Sequence, residues 1–164
     1  MNVWRTTILT VALAATWGAP ARADECEALA ANVHAQNPEI SVAERTTQDQ
    51  SVVVALKADG VDELTVTCTS NVDKAPELTA KANATWPSSD FYDHVSSAGA
   101  IVMASSRSAI RSGSVLCAQR AMASDDNNAV YDVNGDRFEC TTTSGVGGST
   151  LIRISRLKTA TPPQ

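Results

Sequence analysis

Four cysteines are the side chains whose chemistry the sequence defines best. Cys26, Cys68, Cys117 and Cys140 form no Cys-x-x-Cys pair, the spacing used by zinc knuckles and thioredoxin-type redox sites. Their even number, in a chain with the export features described below, favours two structural disulfides. Of the three pairings that four cysteines allow, we favour Cys26–Cys68 and Cys117–Cys140, because each would join a predicted helix to a predicted strand within its own half of the chain.

The two histidines, His34 and His94, are the remaining candidates for acid–base chemistry. His94 has acidic neighbours in the sequence, so a small exported hydrolase that uses His94 with Asp90 or Asp93 is one functional hypothesis. The chain lacks the Gly-x-Ser-x-Gly pattern of a nucleophile elbow, and neither histidine has a metal-binding spacing. We therefore assign no catalytic residue and favour a protein that is not an enzyme.

Oxygen-bearing side chains are concentrated between Asp125 and Glu139, and such groups suit a hard cation such as calcium. The spacing does not match an EF-hand loop, because its glycine has the wrong offset and no acidic residue closes the loop. The cluster Gly145-Val146-Gly147-Gly148 lacks the Lys and Ser/Thr of a phosphate-binding loop and lies between predicted strands. We interpret both stretches as loops, so the sequence predicts no metal site and no cofactor.

Three aromatic residues, Trp86, Phe91 and Tyr92, lie close together in the sequence. Tryptophan and tyrosine are enriched among the residues that dominate binding energy at interfaces. We therefore predict that Trp86, Phe91 and Tyr92 form a binding surface. The alternative is that they pack the connection between the two halves of the chain onto the sheet.

Hydrophobic periodicity places these residues on elements. A helix is predicted over residues 24–37, where apolar residues recur at i, i+3, i+4 and i+7. Strands are predicted over residues 40–43, 51–58 and 64–69, and residues 71–87 are predicted to form an ordered crossover. Helices over residues 88–104 and 106–123 follow, then a hairpin around Asn134-Gly135 and a last strand over 150–157.

Asn134-Gly135 also sets the register of that hairpin, because Asn-Gly favours a two-residue type I′ turn. Val133 then pairs with Asp136, Asp132 with Arg137, and Tyr131 with Phe138. The predicted order is α-β-β-β-α-α-β-β-β. We expect an α+β fold in which helices pack on one face of a mainly antiparallel sheet, and the repeated pattern suggests a duplicated α-β-β-β unit.

The first 23 residues have the features of a cleaved signal peptide. Arg5 precedes an uncharged apolar stretch of about 14 residues, and Ala21-Arg22-Ala23 fits a signal-peptidase site. The stretch is shorter than the roughly 20 residues that cross a bilayer, although an uncleaved N-terminal anchor is the alternative. We predict a single domain over residues 24–158, a disordered tail over 159–164, no membrane span after cleavage, and a periplasmic or secreted location.

The charge balance narrows the choice of partner. Residues 1–23 contain two basic and no acidic residues, so their removal moves the net charge from −5 to −7. An acidic domain does not favour nucleic-acid binding, which depends on neutralising phosphates with Lys and Arg. The preferred hypothesis is an acidic, disulfide-bonded binding or accessory protein whose ligand, a protein or a small molecule, the sequence does not identify.

Overall fold

Over the residues that the structure describes, three helices pack on one face of a seven-stranded antiparallel sheet, which confirms the predicted fold class. The computed structural model describes residues 22–71 and 73–157, so the predicted leader and the predicted tail lie outside the described residues except for the junction at Arg22–Ala23. The elements are α1 (Arg22–Gln36), β1 (Ser41–Gln48), β2 (Ser51–Ala58), β3 (Val61–Thr69), β4 (Glu77–Ala82), α2 (Ser89–Val102), α3 (Arg107–Ala123), β5 (Asn128–Val133), β6 (Asp136–Thr143) and β7 (Ser149–Arg156).

The sheet consists of two antiparallel meanders that meet at one strand pairing. Its order is β1-β2-β3-β4-β7-β6-β5, so β4 and β7, the last strand of each meander, lie side by side in the middle. In each half a helix is joined by a disulfide to the strand next to the central one: α1 to β3 and α3 to β6. The first meander has four strands and the second has three, so the suggested duplication of an α-β-β-β unit stays a hypothesis.

The strand β4 corrects the sequence prediction, which assigned residues 71–87 to a crossover without a strand. Glu77–Ala82 alternates in burial, with Leu78, Ala80 and Ala82 facing the helices. Two of these three inward residues are alanine, which has a low strand propensity, so the alternation is weak in the sequence. β4 forms because strands lie on both sides of it, and these contacts are long-range.

The strand β1 is also longer than the predicted residues 40–43. It extends to Gln48, and all eight of its residues are exposed. An exposed edge strand needs no alternation of apolar and polar residues, so the sequence pattern did not predict a strand in the polar stretch from Thr46. Backbone pairing with β2, and not burial of side chains, forms this part of the sheet.

The hairpin formed by β5 and β6 has the predicted register. Val133 pairs with Asp136, Asp132 with Arg137, and Tyr131 with Phe138. Asn134 and Gly135 have φ values of 54° and 82°, the left-handed conformation that both central residues of a type I′ turn require. Both favoured disulfides, Cys26–Cys68 and Cys117–Cys140, are also confirmed.

The helices reach the sheet closely because small residues face it. A side-chain Cβ on Gly113 of α3 would lie 2.4 Å from the ring of Phe138 on β6, so only glycine leaves room for this ring. Phe138 is fully buried, as is Ile110 one turn earlier on α3. Gly113 therefore sets the distance between α3 and the second meander.

We expect Gly113→Ala to destabilise the protein although alanine is the better helix former by about 1 kcal/mol. Overpacking against Phe138 should lower the free energy of unfolding by about 1–3 kcal/mol. Urea unfolding measures the change, and Ser112→Ala, at an exposed position on the same helix, should be neutral or slightly stabilising. Equal stability of Gly113→Ala and the wild type would contradict the proposed close packing.

Candidate functional site

Trp86 is the exposed member of the three predicted binding residues. It lies on the loop between β4 and α2, and its side chain is 70% exposed. Phe91 is fully buried and Tyr92 is 9% exposed, and their rings meet edge to face with centroids 5.3 Å apart. The structure therefore places Trp86 at the surface and Phe91 and Tyr92 in the core between α2 and its neighbours.

The loop of residues 83–88, here called the Trp86 loop, has an anchored backbone. Asn83 N–H donates to Asp62 Oδ2 at 2.6 Å, which holds the start of the loop to the first residues of β3. Thr150 Oγ1, at the beginning of β7, lies 3.0 Å from the carbonyl oxygens of both Ala84 and Thr85. Contacts on both sides of the loop therefore fix the position from which Trp86 projects.

The far end of the Trp86 loop is fixed by the start of α2. Ser88 is the N-cap of this helix, and its Oγ accepts a hydrogen bond from Phe91 N–H at 3.3 Å. Such a cap stabilises a helix by about 1 kcal/mol. The burial of Phe91 in the core then holds the first turn of α2, and with it the end of the loop.

A second loop, residues 144–148, lies against the Trp86 loop and is here called the glycine loop. Thr85 Oγ1 donates to the Thr143 carbonyl at 2.8 Å. A Cβ on Gly148 would lie 2.1 Å from Thr85 Oγ1, so glycine is required at this approach. Val146, at the tip of the glycine loop, is fully exposed. The two loops therefore present two exposed apolar side chains at one end of the sheet.

The residues of the hydrolase hypothesis lie on the first two turns of α2. Arg111 Nε, on α3, donates to Asp93 Oδ1 at 2.8 Å, and this hydrogen bond holds the pKa of Asp93 below its ordinary value. His94 Nδ1 is buried and has no hydrogen-bond partner, so neither Asp90 nor Asp93 orients the imidazole through that nitrogen. A histidine general base is normally oriented by such a hydrogen bond.

The other charged groups near α2 also make structural contacts. Arg107 Nη2 donates to the Asp93 carbonyl at 3.4 Å, so both arginines on this face of α3 hold the first turns of α2. Burial raises the pKa of Tyr92, and the charge of Arg111 opposes that effect. The hydroxyl of Tyr92 is therefore a neutral phenol at neutral pH.

The oxygen-rich stretch does not form one cluster. Asp126 Oδ1 accepts from Asn128 N–H, and Asp132 forms an ion pair with Arg137. Asp136 is 1% exposed, accepts a hydrogen bond from Ser105 and lies 3.4 Å from Arg156, so it is a buried group and not part of a solvated loop. In the part of the chain that the structure describes, no three His, Cys, Asp or Glu side chains are placed to hold a metal ion.

Sequence reasoning missed the glycine loop as a partner of Trp86. The anchoring residues Asp62, Thr143 and Thr150 have no distinctive spacing, since they meet only when β4 pairs with β7. Val146 was the one available signal: an apolar residue between glycines in a loop. The glycine loop lies against the Trp86 loop only because β4 pairs with β7, and the sequence did not reveal β4.

Comparison with known protein families, with curated proteins and with solved structures finds no match to this chain. Within residues 22–71 and 73–157, no helix combines the length and the apolar composition that a membrane crossing needs. The geometry of the two loops is therefore the basis for the functional proposal below.

The ion pair between Asp93 and Arg111 should make stability depend on acid pH. Because folding lowers the pKa of Asp93 from its ordinary 3.8, the contribution is complete above pH of about 4 and is lost as the pH falls through the folded value. We expect the free energy of unfolding, measured with urea at pH 6 and at pH 3, to fall less for Asp93→Asn than for the wild type.

Arg111→Gln is the control for this titration. Arg111→Gln removes the donor of the same hydrogen bond, so this variant should also lose less stability between pH 6 and pH 3 than the wild type does. The double variant should behave like either single variant. An identical loss between pH 6 and pH 3 in the wild type and in both single variants would rule out this ion pair as a source of the pH dependence.

Proposed function

We propose that this protein is an exported, non-catalytic binding or accessory protein that contacts a partner protein through the Trp86 loop and the glycine loop. The observation that supports the proposal most directly is the exposure of Trp86 on an anchored backbone. Among the described aromatic residues, Trp86 alone is mostly exposed. A large aromatic side chain that stays exposed to water does not give the folded protein the stabilisation that its burial would provide.

Anchoring of the loop favours binding. Ordering a flexible segment opposes association by about 0.5–1.5 kcal/mol for each immobilised side chain. The hydrogen bonds from Asn83 and Thr150 fix the backbone before a partner arrives. Trp86 is then a preorganised anchor of the kind that dominates binding energy at interfaces, and Val146 adds exposed apolar area on the adjoining glycine loop.

The charge at this end of the sheet indicates the chemistry of the partner. The β2–β3 turn contains Asp59, the start of β3 contains Asp62, and the turn before β5 contains Asp125 and Asp126. These acidic residues flank the loops in a chain whose net charge after removal of the leader is −7. We therefore propose a partner with basic side chains around an apolar pocket that receives the indole, because complementary charge accelerates encounter and suppresses wrong partners.

Replacing Trp86 with Ala should weaken binding by about 2 kcal/mol, roughly 30-fold, because the indole is the central anchor. The experiment uses the purified protein as bait for proteins of its own compartment and then titrates the captured partner. Val42→Ala, at an exposed apolar residue on β1, is the matched control and should bind as the wild type does. Binding should also weaken as the salt concentration rises.

The protein supplies its own reporter for this titration. Trp86 is the only tryptophan outside residues 1–23, so the intrinsic fluorescence of the mature chain comes from the proposed anchor. We expect its emission to shift to shorter wavelength when the partner covers the indole. Unchanged affinity in Trp86→Ala, together with unchanged emission on binding, would exclude the Trp86 loop as the binding surface.

Export is tested separately from binding. Two disulfides support an oxidising compartment, and the sequence of residues 1–23 supports cleavage after Ala23. We expect the N-terminus of the protein recovered from the periplasm or the medium to be Asp24. Substituting Ala21 and Ala23 with bulky residues should leave the leader attached, and recovery of the protein only from the cytosol with Met1 present would refute export.

A further inference from the structure

The two edge strands of the sheet, β1 and β5, differ in how readily they can pair with a strand of another chain. On β1 the pairing register shifts between Val42 and Glu44, which marks a bulge. Arg45 stands opposite Val54, on the face that the helices cover, and forms an ion pair with Glu27 of α1 at 2.9 Å. Bulges and inward-facing charges are two devices that prevent edge strands from pairing with other chains. The edge of β1 is therefore protected.

The edge of β5 exposes a short set of backbone groups. Because Val133 and Asp136 flank a two-residue turn, they form a hydrogen-bonded pair, and such pairs alternate along an antiparallel ladder. The N–H and C=O groups of Asn128, Val130 and Asp132 therefore point away from β6. Ser124 Oγ occupies both groups of Asn128, at 3.0 Å from its nitrogen and 2.8 Å from its oxygen. The free groups are those of Val130 and Asp132.

Apolar side chains flank this edge on both faces of the sheet. Val130, on the face without helices, is 60% exposed. On the other face a groove of about 290 Å³ lies between β5 and α3, where Leu116 is 40% exposed beside Tyr131 and Val133. The guanidinium of Arg120 lies over the Tyr131 ring, 4.3 Å from its centroid. The edge thus combines free hydrogen-bonding groups with apolar area.

The charges at this edge are balanced. Arg137 donates to both carboxylate oxygens of Asp132, at 2.9 and 2.8 Å, so the carboxylate nearest the edge is neutralised. Two further charges of opposite sign lie close by, because Arg120 lies over Tyr131 and Glu139 stands opposite Val130. In a chain with a net charge of −5, a locally neutral edge is where a second acidic copy meets the least repulsion.

We propose that two copies of this chain associate through β5, antiparallel, about a two-fold axis at Tyr131. In this register Val130 of each copy stands opposite Asp132 of the other. Each Val130 N–H donates to an Asp132 carbonyl and each Asp132 N–H donates to a Val130 carbonyl, so four backbone hydrogen bonds use every free group. A surface that is complementary to itself in this way defines a closed dimer.

The same register brings the two Tyr131 rings together across the axis, next to Leu116 of each copy. The paired segment is only three residues long, so the interface lies below the roughly 1,200 Å² of standard complexes. We therefore expect a weak dimer, with a dissociation constant between about 10 μM and 1 mM. The surface is separate from the Trp86 loop, and the proposal does not depend on the proposed function.

Val130→Pro is the most selective test. Proline removes the Val130 N–H, which points away from β6, so the β5–β6 ladder is left intact. Sedimentation of the wild type between 10 μM and 1 mM should show conversion from monomer to dimer. Val130→Pro should remain monomeric over this range, while its circular dichroism and melting temperature stay close to those of the wild type.

A matched pair of charge substitutions keeps the test decisive if proline disturbs the fold. Val130→Glu should weaken dimerisation at least tenfold, because the new carboxylate stands opposite Asp132 of the other copy and opposite Glu139 of its own hairpin. Val42→Glu, at an exposed valine on the protected edge β1, should leave it unchanged. A wild type that is monomeric at 1 mM, or a dimer that persists in Val130→Glu, would overturn the proposal.

Discussion

The pairing of β4 with β7 is the interaction on which the rest of the structure depends. Each disulfide lies within one half of the chain, so no covalent cross-link joins the halves. Their union rests on six residue pairs between β4 and β7, with Leu78 and Ala80 opposite Ile154 and Ile152 in the core, and on the packing of α2 between the other helices. The two units thereby share one core.

This central pairing also determines where the sheet is open. The last strands of both meanders are in the middle, so the strands next to them, β3 and β6, hold the disulfides, and the outermost strands, β1 and β5, are hairpin arms. The two edges are not equivalent. A bulge and an inward-facing arginine protect β1, whereas Ser124 covers only the first residue of β5. The two halves therefore have similar topologies, but one edge of the sheet is protected and the other is accessible.

Local patterns predicted the parts of this fold that depend on neighbouring residues. Asn134-Gly135 determines its hairpin through the turn geometry alone, and the cysteine pairing follows from helix and strand periodicity in each half. The central strand was missed because Ala80 and Ala82 contribute little alternation, and its partner is some 70 residues away. The aromatic residues of the candidate site are recognisable because they lie close together in the sequence. Their burial depends on long-range packing, which exposes Trp86 and buries Phe91, so the sequence did not predict it.

The proposed binding surface is a consequence of the central pairing. β4 leads directly into the Trp86 loop, and the glycine loop leads directly into β7. Because Ala82 stands opposite Thr150 in the ladder, the hydroxyl of Thr150 reaches the carbonyls of Ala84 and Thr85. The strand pairing that joins the two halves therefore also immobilises the loop that exposes Trp86. Any change that loosens this pairing should release the loop as well, so stability and binding are physically coupled at this end of the sheet.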